Sequence, residues 1–500
     1  MDFSMIKKTP INGLFSCCLI SMAIGTSTNV LANAEFEAWK NAYKQDSQKT
    51  QQEFQQYLEE NDKAFIGFLK ANWKEVEIQK PKVRDPKPKP VALPVAKPEP
   101  VKPKPEKATA PKAQLIPIKK PTIEKPAPVK PKSKPVSVAR QTTDFEFYGQ
   151  PISVSQNKKM SVRYQGKISN EGIADYWQSL ASQPHKTQVK ELLKSAQKLK
   201  LNDWSTALLF DQYARQLHPT DSTSRQLTSW FLLVKAGFNA RVAYNDRVFL
   251  LMPTKQELYS VTYFTFDGTR YYAVNLNDTP VKTGRAYTYS GSHTDGKRVL
   301  DFSSPNAFVT QEKANTRTLS FKYNGKTHTL KIKYNAHLVP YFATYPQLDL
   351  KHYFAAGMPS DTRYQLLTQL KPLVEGKSEK EAVNLLLRFV QKAFEYKTDD
   401  DQFNQENYLF PLETLHYPYS DCEDRSALFA WLTNSLLGLD TIILMYPGHV
   451  ATAVAMTTAT GDTHTYQGKR YSVADPTYIN ANVGMTMPSY RGKSPKVMTF

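Results

Sequence analysis

The stretch FPLETLHYPYSDCEDRSALFAWL, residues 410–432, decides how the second half of this chain is expected to fold. Asp421 is a favourable N-cap residue, and Gly438, beyond the stretch, is a favourable helix terminator. The apolar side chains between them recur at helical spacing: Ala427, Leu428, Trp431, Leu432 and Leu436. The sequence therefore predicts a buried helix whose first turn contains Cys422.

The N-terminus has the pattern of a secretory signal. Lys7 and Lys8 precede an apolar run, and Ala32-Asn33-Ala34 supplies the small residues of a cleavage site. We interpret residues 1–34 as a signal peptide, which predicts a periplasmic or secreted protein. An uncleaved membrane anchor is the alternative, although the apolar run is shorter than the roughly 20 residues that span a bilayer.

Cysteine usage directs attention to one side chain. Cys17 and Cys18 lie in the predicted signal, so Cys422 is the one thiol expected in the mature chain. A lone thiol in an oxidising compartment has no disulfide to form and is a candidate nucleophile; a buried apolar filler is the alternative. The helix N-terminus favours a thiolate, whereas the neighbouring Glu423 and Asp424 oppose it, so a cationic partner is required.

His449 is the candidate partner. Residues 439–446 are typical of a buried strand, Pro447-Gly448 of a turn, and His449 of the start of a second strand. Asp475 ends a third predicted strand and has the residue type that orients a catalytic imidazole. His416 is an alternative base. A zinc site using Cys422 and His449 is disfavoured because the mature chain has no second thiol.

Three blocks of this region together resemble the transglutaminase-like superfamily of cysteine enzymes. They are residues 410–432, Pro447–Val454 (PGHVATAV) and Tyr471–Tyr478 (YSVADPTY). The resemblance covers roughly Tyr345 to the C-terminus. It is closest to bacterial and archaeal members that have DCED at the nucleophile, PGH at the base and a carboxylate before Pro-Thr.

The resemblance implies an α+β, papain-like catalytic domain over residues 345–500. In it Cys422 attacks a carbonyl carbon, His449 transfers the proton and Asp475 orients His449. The backbone N–H of Cys422 is the natural oxyanion donor. The side chains expected to assist are Tyr417 or Tyr419, as a second oxyanion donor, and Asp424, which is otherwise a local structural acid. Neither a cofactor nor a metal ion is expected, since no phosphate loop, dinucleotide fingerprint or calcium-binding loop was found.

The first half of the folded region carries a weaker copy of the same pattern. Residues 268–275 (GTRYYAVN) match residues 468–475 (GKRYSVAD), and at the same spacing of 200 Ser222 corresponds to Cys422. At this spacing Phe249 replaces His449, or Val248 after a slip of one residue, and Asn275 replaces Asp475. We therefore predict a degenerate, non-catalytic transglutaminase-like domain over residues 143–283, followed by a β-rich connecting region over residues 284–344.

The formal net charge of +19 is concentrated in one segment. Residues 80–140 hold 17 basic and 4 acidic residues and 16 of the 33 prolines. Such a composition predicts a disordered, extended linker over residues 79–142, not a specific nucleic-acid site. Cell-wall or membrane-surface polyanions are its candidate partners, and a soluble tether is the simpler interpretation.

Residues 35–78, between the signal and the linker, predict an amphipathic helical segment. Aromatic and leucine residues recur there at steps of three and four positions. Such a stripe must be buried, which predicts self-association or docking on a partner; folding back on the globular region is the alternative.

The function expected from these features is that of an exported thiol enzyme acting on amide bonds of a periplasmic or cell-wall peptide or protein. Two alternatives stay open: a non-catalytic scaffold that only binds, and an acyl transferase that cross-links proteins. Substrate choice is expected to depend on the groove, including residues 480–490 after Asp475.

Overall fold

A computed structural model describes residues 28–71, 73–84, 93–96, 141–274, 276, 280–303 and 313–500. The chain divides into one unit that ends at Asn61 and a second that runs from Asp62 to Phe500. Most of the predicted signal and most of the predicted linker lie outside the described residues. Among the described helices, none combines the length and apolar character needed to cross a membrane.

The helices of the described residues follow in chain order: α1 (Thr28–Lys70), α2 (Asn170–Ala181), α3 (Lys186–Leu199), α4 (Asp203–Leu217), α5 (Ser222–Lys235), α6 (Leu338–Phe342), α7 (Leu350–Phe354), α8 (Ser360–Val374), α9 (Glu379–Ala393), α10 (Asp399–Phe403), α11 (Pro411–His416) and α12 (Cys422–Leu437). Short 3-10 turns occur at Lys158–Met160 and Pro488–Tyr490.

The strands are β1 (Lys74–Ile78), β2 (Thr142–Phe147), β3 (Gln150–Ser155), β4 (Arg241–Tyr244), β5 (Val248–Pro253), β6 (Tyr263–Phe266), β7 (Thr269–Ala273), β8 (Gly284–Thr288), β9 (Ala314–Tyr323), β10 (Lys326–Asn335), β11 (Glu395–Tyr396), β12 (Tyr419–Ser420), β13 (Thr441–Tyr446), β14 (His449–Val454), β15 (Thr463–Tyr466), β16 (Lys469–Ala474) and β17 (Lys496–Met498). The predicted α+β class is confirmed.

Two antiparallel sheets organise the larger unit. The first has the strand order β1-β8-β4-β5-β7-β6 and the second β15-β16-β14-β13-β17. Apart from β1, the two sheets have the same strand order: β8-β4-β5-β7-β6 corresponds to β17-β13-β14-β16-β15. In each sheet a central hairpin (β4–β5 or β13–β14) lies beside an edge hairpin (β7–β6 or β16–β15). Helix α5 packs on the first sheet through β4 and β5, and α12 packs on the second through β13 and β14.

Local signals explain the elements that carry the second sheet. Asp421 is the N-cap residue of α12 and donates its backbone N–H to Oδ2 of Asp424 at 3.3 Å, and Gly438 ends the helix at φ +65°. Helix α12 is buried on nearly all sides, as its apolar stripe predicts. Strands β9 and β10 form a hairpin across Asn324-Gly325, a pair typical of two-residue turns, and these residues have φ +47° and +78°.

Two segments differ from the expected organisation. Lys74–Ile78, the end of the predicted helical segment, is a strand that pairs with β8, and β8 itself starts the predicted connecting region. The first sheet therefore includes one strand before and one strand after residues 143–283, the range of the predicted degenerate domain. Val76 and Ile78 alternate with charged residues, a pattern that is typical of an edge strand. This alternation explains why Lys74–Ile78 forms a strand and does not continue α1.

Parts of the predicted linker lie against the folded unit. The guanidinium carbon of Arg84 lies 3.5 Å from the centroid of the Tyr408 ring, and its Nη1 donates to Gln347 at 2.6 Å. Lys82 pairs with Glu257 at 2.5 Å. Val95 forms a parallel bridge with Ile479. For these residues the expectation of an extended spacer is wrong, because cation–π contacts and backbone pairing bind them to the surface.

Candidate functional site

Cys422 is the first residue of α12 and follows the N-cap Asp421. Its side chain has no exposed surface. The sulfur donates a hydrogen bond to Oε2 of Glu423 at 2.7 Å. The helix N-terminus favours negative charge on this sulfur, while the adjacent carboxylate opposes it.

His449 and Asp475 meet as predicted. His449 opens β14, Asp475 follows the last residue of β16, and these strands are neighbours in the sheet. Nε2 of His449 lies 2.8 Å from Oδ2 of Asp475, and both side chains are buried. The other oxygen, Oδ1, accepts from the backbone N–H groups of Thr477 at 2.9 Å and Tyr478 at 3.2 Å. Asp475 is thus held on both sides and fixes the imidazole orientation.

The start of α12 lies against the start of β14. Ser426, one helical turn after Cys422 and on the same helix face, donates from Oγ to the backbone carbonyl of Val450 at 3.2 Å. Val450 directly follows His449. Cys422 and Val450 also belong to one buried apolar cluster. Within the part of the chain that the structure describes, Nδ1 of His449 is buried without a hydrogen-bond partner, so no hydrogen bond joins His449 to Cys422. Nδ1 is the ring nitrogen that the contact with Asp475 leaves available.

Tyr490 covers this region. Its ring is stacked on His449 with 5.0 Å between the ring centroids, and it also contacts Tyr446 at 5.0 Å. Burial raises the pKa of the Tyr490 hydroxyl, and the negative charges of Cys422 and Asp475 raise it further. Tyr490 is thus in ring contact with the imidazole of the predicted triad. It lies within residues 480–490, which the sequence assigned to the groove.

The side chain of Cys422 is buried in the large apolar core cluster and does not line an open groove. One ionisable group contacts its sulfur directly, the carboxylate of Glu423. A substrate carbonyl can therefore reach this sulfur only if neighbouring side chains move.

Asp424 and Arg425 have structural contacts. Oδ1 of Asp424 accepts from the Leu409 N–H at 2.9 Å, and Oδ2 accepts from the Asp421 N–H at 3.3 Å. Arg425 is buried and donates to Ser420 Oγ and to the Phe394 carbonyl. Burial lowers the pKa of Arg425 to about 10. These contacts agree with the interpretation of Asp424 as a local structural acid.

The two tyrosines predicted as oxyanion donors precede α12. Tyr419 begins β12, which pairs with β11, and the ammonium of Lys397 lies 5.2 Å from its ring centroid. Tyr417 contacts the ring of Phe403, and its backbone carbonyl accepts from Arg317. The backbone N–H of Cys422 therefore stays the first candidate oxyanion donor.

His416, the alternative base, lies in a different environment. Its Nδ1 is 2.7 Å from the hydroxyl of Tyr334 on β10. Burial lowers its pKa, and the charge of Arg317 lowers it further. His416 thus ties α11 to the β9–β10 hairpin, which supports the interpretation of a satisfied structural histidine.

Buried carboxylates near Cys422 were only partly foreseen. Ligand atoms of three sets of residues lie within 4.8 Å of one another: Asp421, Cys422 and Glu423; Asp399, Asp421 and Asp424; and Asp399, Glu406 and Glu423. Carboxylate oxygens are the ligands that hard divalent cations prefer, so these side chains are the ones that could hold such an ion. The acidic run Asp399-Asp400-Asp401 was the available signal, but its distance along the chain hid the proximity.

Glu413 is a second residue that the sequence did not single out. It is fully buried and its pKa is raised to about 8 by burial, although a hydrogen bond from the Phe410 N–H lowers it in part. Its Oε2 accepts the backbone N–H of the N-cap residue Phe410 at 3.0 Å, at the start of α11. Because the Phe410 side chain cannot accept a hydrogen bond, no Ser, Thr, Asp or Asn marked this helix start in the sequence.

The first sheet allows a residue-by-residue comparison with the second. Ser222 begins α5 as Cys422 begins α12, each after an Asp N-cap. Tyr272 lies opposite Met252, as Ser472 lies opposite Val454. Counting back along the strands from these pairs reaches Arg247, in the turn before β5, whereas the closing pairs of the two hairpins, Tyr244 with Val248 and Tyr446 with His449, align Val248 with His449. The spacing is 200 at the starts of β4 and β13 but 201 at the starts of β5 and β14, because β13 is longer than β4 and is followed by a shorter turn.

Both correspondences keep the functional prediction, since neither Arg247 nor Val248 has an imidazole. Asn275, the predicted counterpart of Asp475, lies outside the described residues. Comparison of the whole chain with protein-family models, with curated proteins and with solved structures gives no match.

Proposed function

We propose that this chain is an exported cysteine enzyme of the transglutaminase-like type that cleaves or transfers acyl groups at amide bonds of a peptide or protein. The observation that carries the proposal is the 2.8 Å contact between His449 and Asp475, both buried, beside the helix N-terminus that presents Cys422. A nucleophile at a helix start, an imidazole and an orienting carboxylate are the parts that acyl transfer through a thioester requires. The papain-like fold is part of this proposal.

The residues have distinct roles in the proposed reaction. Nδ1 of His449 takes the thiol proton of Cys422, and the sulfur attacks the amide carbonyl carbon. Backbone N–H groups at the start of α12 stabilise the oxyanion. The C–N bond then breaks as His449 passes the proton to the departing amine, which leaves a thioester on Cys422.

Breakdown of the thioester completes the cycle. Water attacks the thioester and gives its proton to His449, which returns that proton to the sulfur as the carboxylic acid leaves. An amine acceptor in place of water gives transamidation, the cross-linking alternative. Asp475 keeps the His449 ring oriented and stabilises its charged form.

A non-catalytic scaffold is the second candidate because Cys422 is buried and its sulfur contacts a carboxylate. Incubation of the full chain with a synthetic peptide library, followed by mass spectrometry, separates the candidates. We expect cleavage that Cys422→Ala abolishes and that Ser222→Ala, the matched change in the first half, leaves intact. Retention of cleavage in Cys422→Ala, or no turnover of any peptide, contradicts the enzyme proposal. Addition of a Lys-containing peptide distinguishes transfer from hydrolysis.

A further inference from the structure

A short piece of the Pro- and Lys-rich segment pairs with the loop that follows Asp475. The Ala96 N–H donates to the Ile479 carbonyl at 2.8 Å, and the Ile479 N–H donates to the Pro94 carbonyl at 3.0 Å. Val95, between them, forms a parallel bridge with Ile479. These two bonds are those by which an extended peptide adds to an open backbone edge.

Side chains of this piece alternate between the surface and a small pocket. Val95 points outward and is 60% exposed, whereas Ala96 is 2% exposed. Ala96 packs in a cluster with Tyr478, Ala481 and Met487, and Tyr490 packs against that cluster. The pocket thus accommodates the methyl side chain of Ala96. The backbone pairing with Ile479 uses the carbonyl of residue 94 and the N–H of residue 96, so a proline can occupy position 94 but not position 96.

The pocket adjoins the candidate catalytic residues. Tyr478, which precedes Ile479, donates its N–H to Oδ1 of Asp475 at 3.2 Å. Tyr490, which packs against the cluster that contains Ala96, is stacked on His449. The Pro94–Ala96 piece therefore pairs with the loop that fixes Asp475, and Ala96 belongs to the cluster against which the ring stacked on His449 packs.

We propose that the backbone of Ile479 and the pocket of Tyr478, Ala481 and Met487 form a subsite for an extended peptide with a small side chain, which Pro94–Ala96 occupies in the free protein. The inference depends on the proposed function, because an enzyme acting on amide bonds must hold peptide chain beside Cys422. Entry of substrate displaces Pro94–Ala96 and releases the contact that supports Tyr490. Since this piece belongs to the same chain, a peptide in solution must compete with a high local concentration of it.

The test uses two variants that add the same bulk at neighbouring positions of the full chain, both in a Cys422→Ala background so that neither measurement depends on turnover. Ala96→Trp does not fit the pocket, whereas Val95→Trp places its ring in solvent. The probe is a fluorescent peptide of sequence Leu-Pro-Val-Ala-Lys, residues 93–97. We expect Ala96→Trp to bind it at least tenfold more tightly than Val95→Trp, and the same peptide with Trp in place of Ala not to bind.

Hydrogen exchange at the Ile479 amide is the second measurement. We expect at least tenfold faster exchange in Ala96→Trp than in Val95→Trp. Equal exchange and equal peptide binding in the two variants overturn occupation by Pro94–Ala96. Faster exchange without binding of the peptide overturns the subsite. Failure of the proposed function would be recognised separately, because the chain that retains Cys422 would then cleave no peptide.

Discussion

The two sheets of the larger unit share a strand order, yet they present different side chains at equivalent places. The second sheet brings His449 and Asp475 together beside the start of α12. The first sheet has Arg247 and Val248 around the place that corresponds to His449, and Ser222 begins α5. The comparison shows that one arrangement of strands and helix can hold either reactive or unreactive side chains. The residue types at a few positions decide whether a catalytic site can form.

The first half of the larger unit also holds the end of α1, through α2, α5 and the residue that follows β8. Phe65 packs edge-on against Trp177 and Tyr289, with 4.7 and 5.6 Å between ring centroids. Asp62 accepts from Lys235 at 2.7 Å and from Trp177 at 3.0 Å. For this end of the predicted amphipathic helix, folding back on the globular region is what the structure shows.

The largest expected effect concerns His449 and the corresponding place in the first half. His449→Ala should lower turnover by about a hundredfold to ten-thousandfold, because the proton of Cys422 then has no base. Arg247→Ala, the matched change in the first half, should leave turnover within about twofold. Steady-state rates on a cleaved peptide check this, with circular dichroism to verify folding. Comparable losses in both variants would contradict the assignment of catalysis to the second sheet.

The second prediction concerns Glu413, the buried acid of the catalytic half. Its folded pKa of about 8 exceeds the ordinary value of 4.5, so its stabilising contribution is complete below pH 4.5 and is lost as the pH rises through 8. Glu413→Gln should remove up to about 4 kcal/mol of pH dependence in the free energy of unfolding. Urea unfolding at pH 5 and pH 8.5 measures it. The exposed Glu375→Gln is the control, and an unchanged pH slope in Glu413→Gln would refute the prediction.

Asp62, the buried acid of the first half, should behave in the opposite way. Burial alone would raise its pKa, but hydrogen bonds from His293 and Lys235 outweigh burial and lower the pKa to about 2. Its contribution is therefore present above the ordinary value of 3.8 and is lost as the pH falls through 2.

Asp62→Asn should consequently cost about 2 kcal/mol of unfolding free energy at pH 7. Asp175→Asn, which breaks only the exposed pair with Lys70, should cost less than about 0.5 kcal/mol. Urea unfolding checks both changes. Equal costs would show that the Asp62 cluster does not anchor the end of α1.

The smallest expected effect concerns the carboxylate beside the sulfur. Glu423→Gln removes a negative charge 2.7 Å from Sγ of Cys422, so the thiolate should form more easily. The pH midpoint of iodoacetamide alkylation should fall by about one unit. Glu395→Gln, an exposed change, should leave it in place. A midpoint that rises in Glu423→Gln would mean that Glu423 assists the thiolate.

Local sequence signals predicted the parts of the site that local interactions determine. The N-cap Asp421 and the terminator Gly438 fixed the ends of α12, and Pro447-Gly448 fixed the hairpin that presents His449. What escaped prediction depends on pairing between distant segments. Periodicity does not reveal that Tyr490 returns over His449, that Val95 pairs with Ile479, or that β17 joins β13.

The sequence left open whether Cys422 is a nucleophile or a buried apolar filler. The helix N-terminus and the lone thiol indicated the nucleophile, but the complete burial of the side chain depends on contacts between distant segments. Likewise, Asp399 reaches the first turn of α12 only through the fold. Residue types thus indicated the chemistry, while access to it was decided by tertiary contacts.

The rate of Cys422 alkylation by iodoacetamide as a function of pH tests the central claim most directly. If Cys422, His449 and Asp475 act as one ionised unit, the midpoint should lie below the value of about 8.5 for a free thiol. It should rise towards that value in His449→Ala, where the sulfur keeps the helix N-terminus but loses the imidazole. A midpoint at or above about 8.5 in the unmodified chain, unchanged by His449→Ala, would contradict the account.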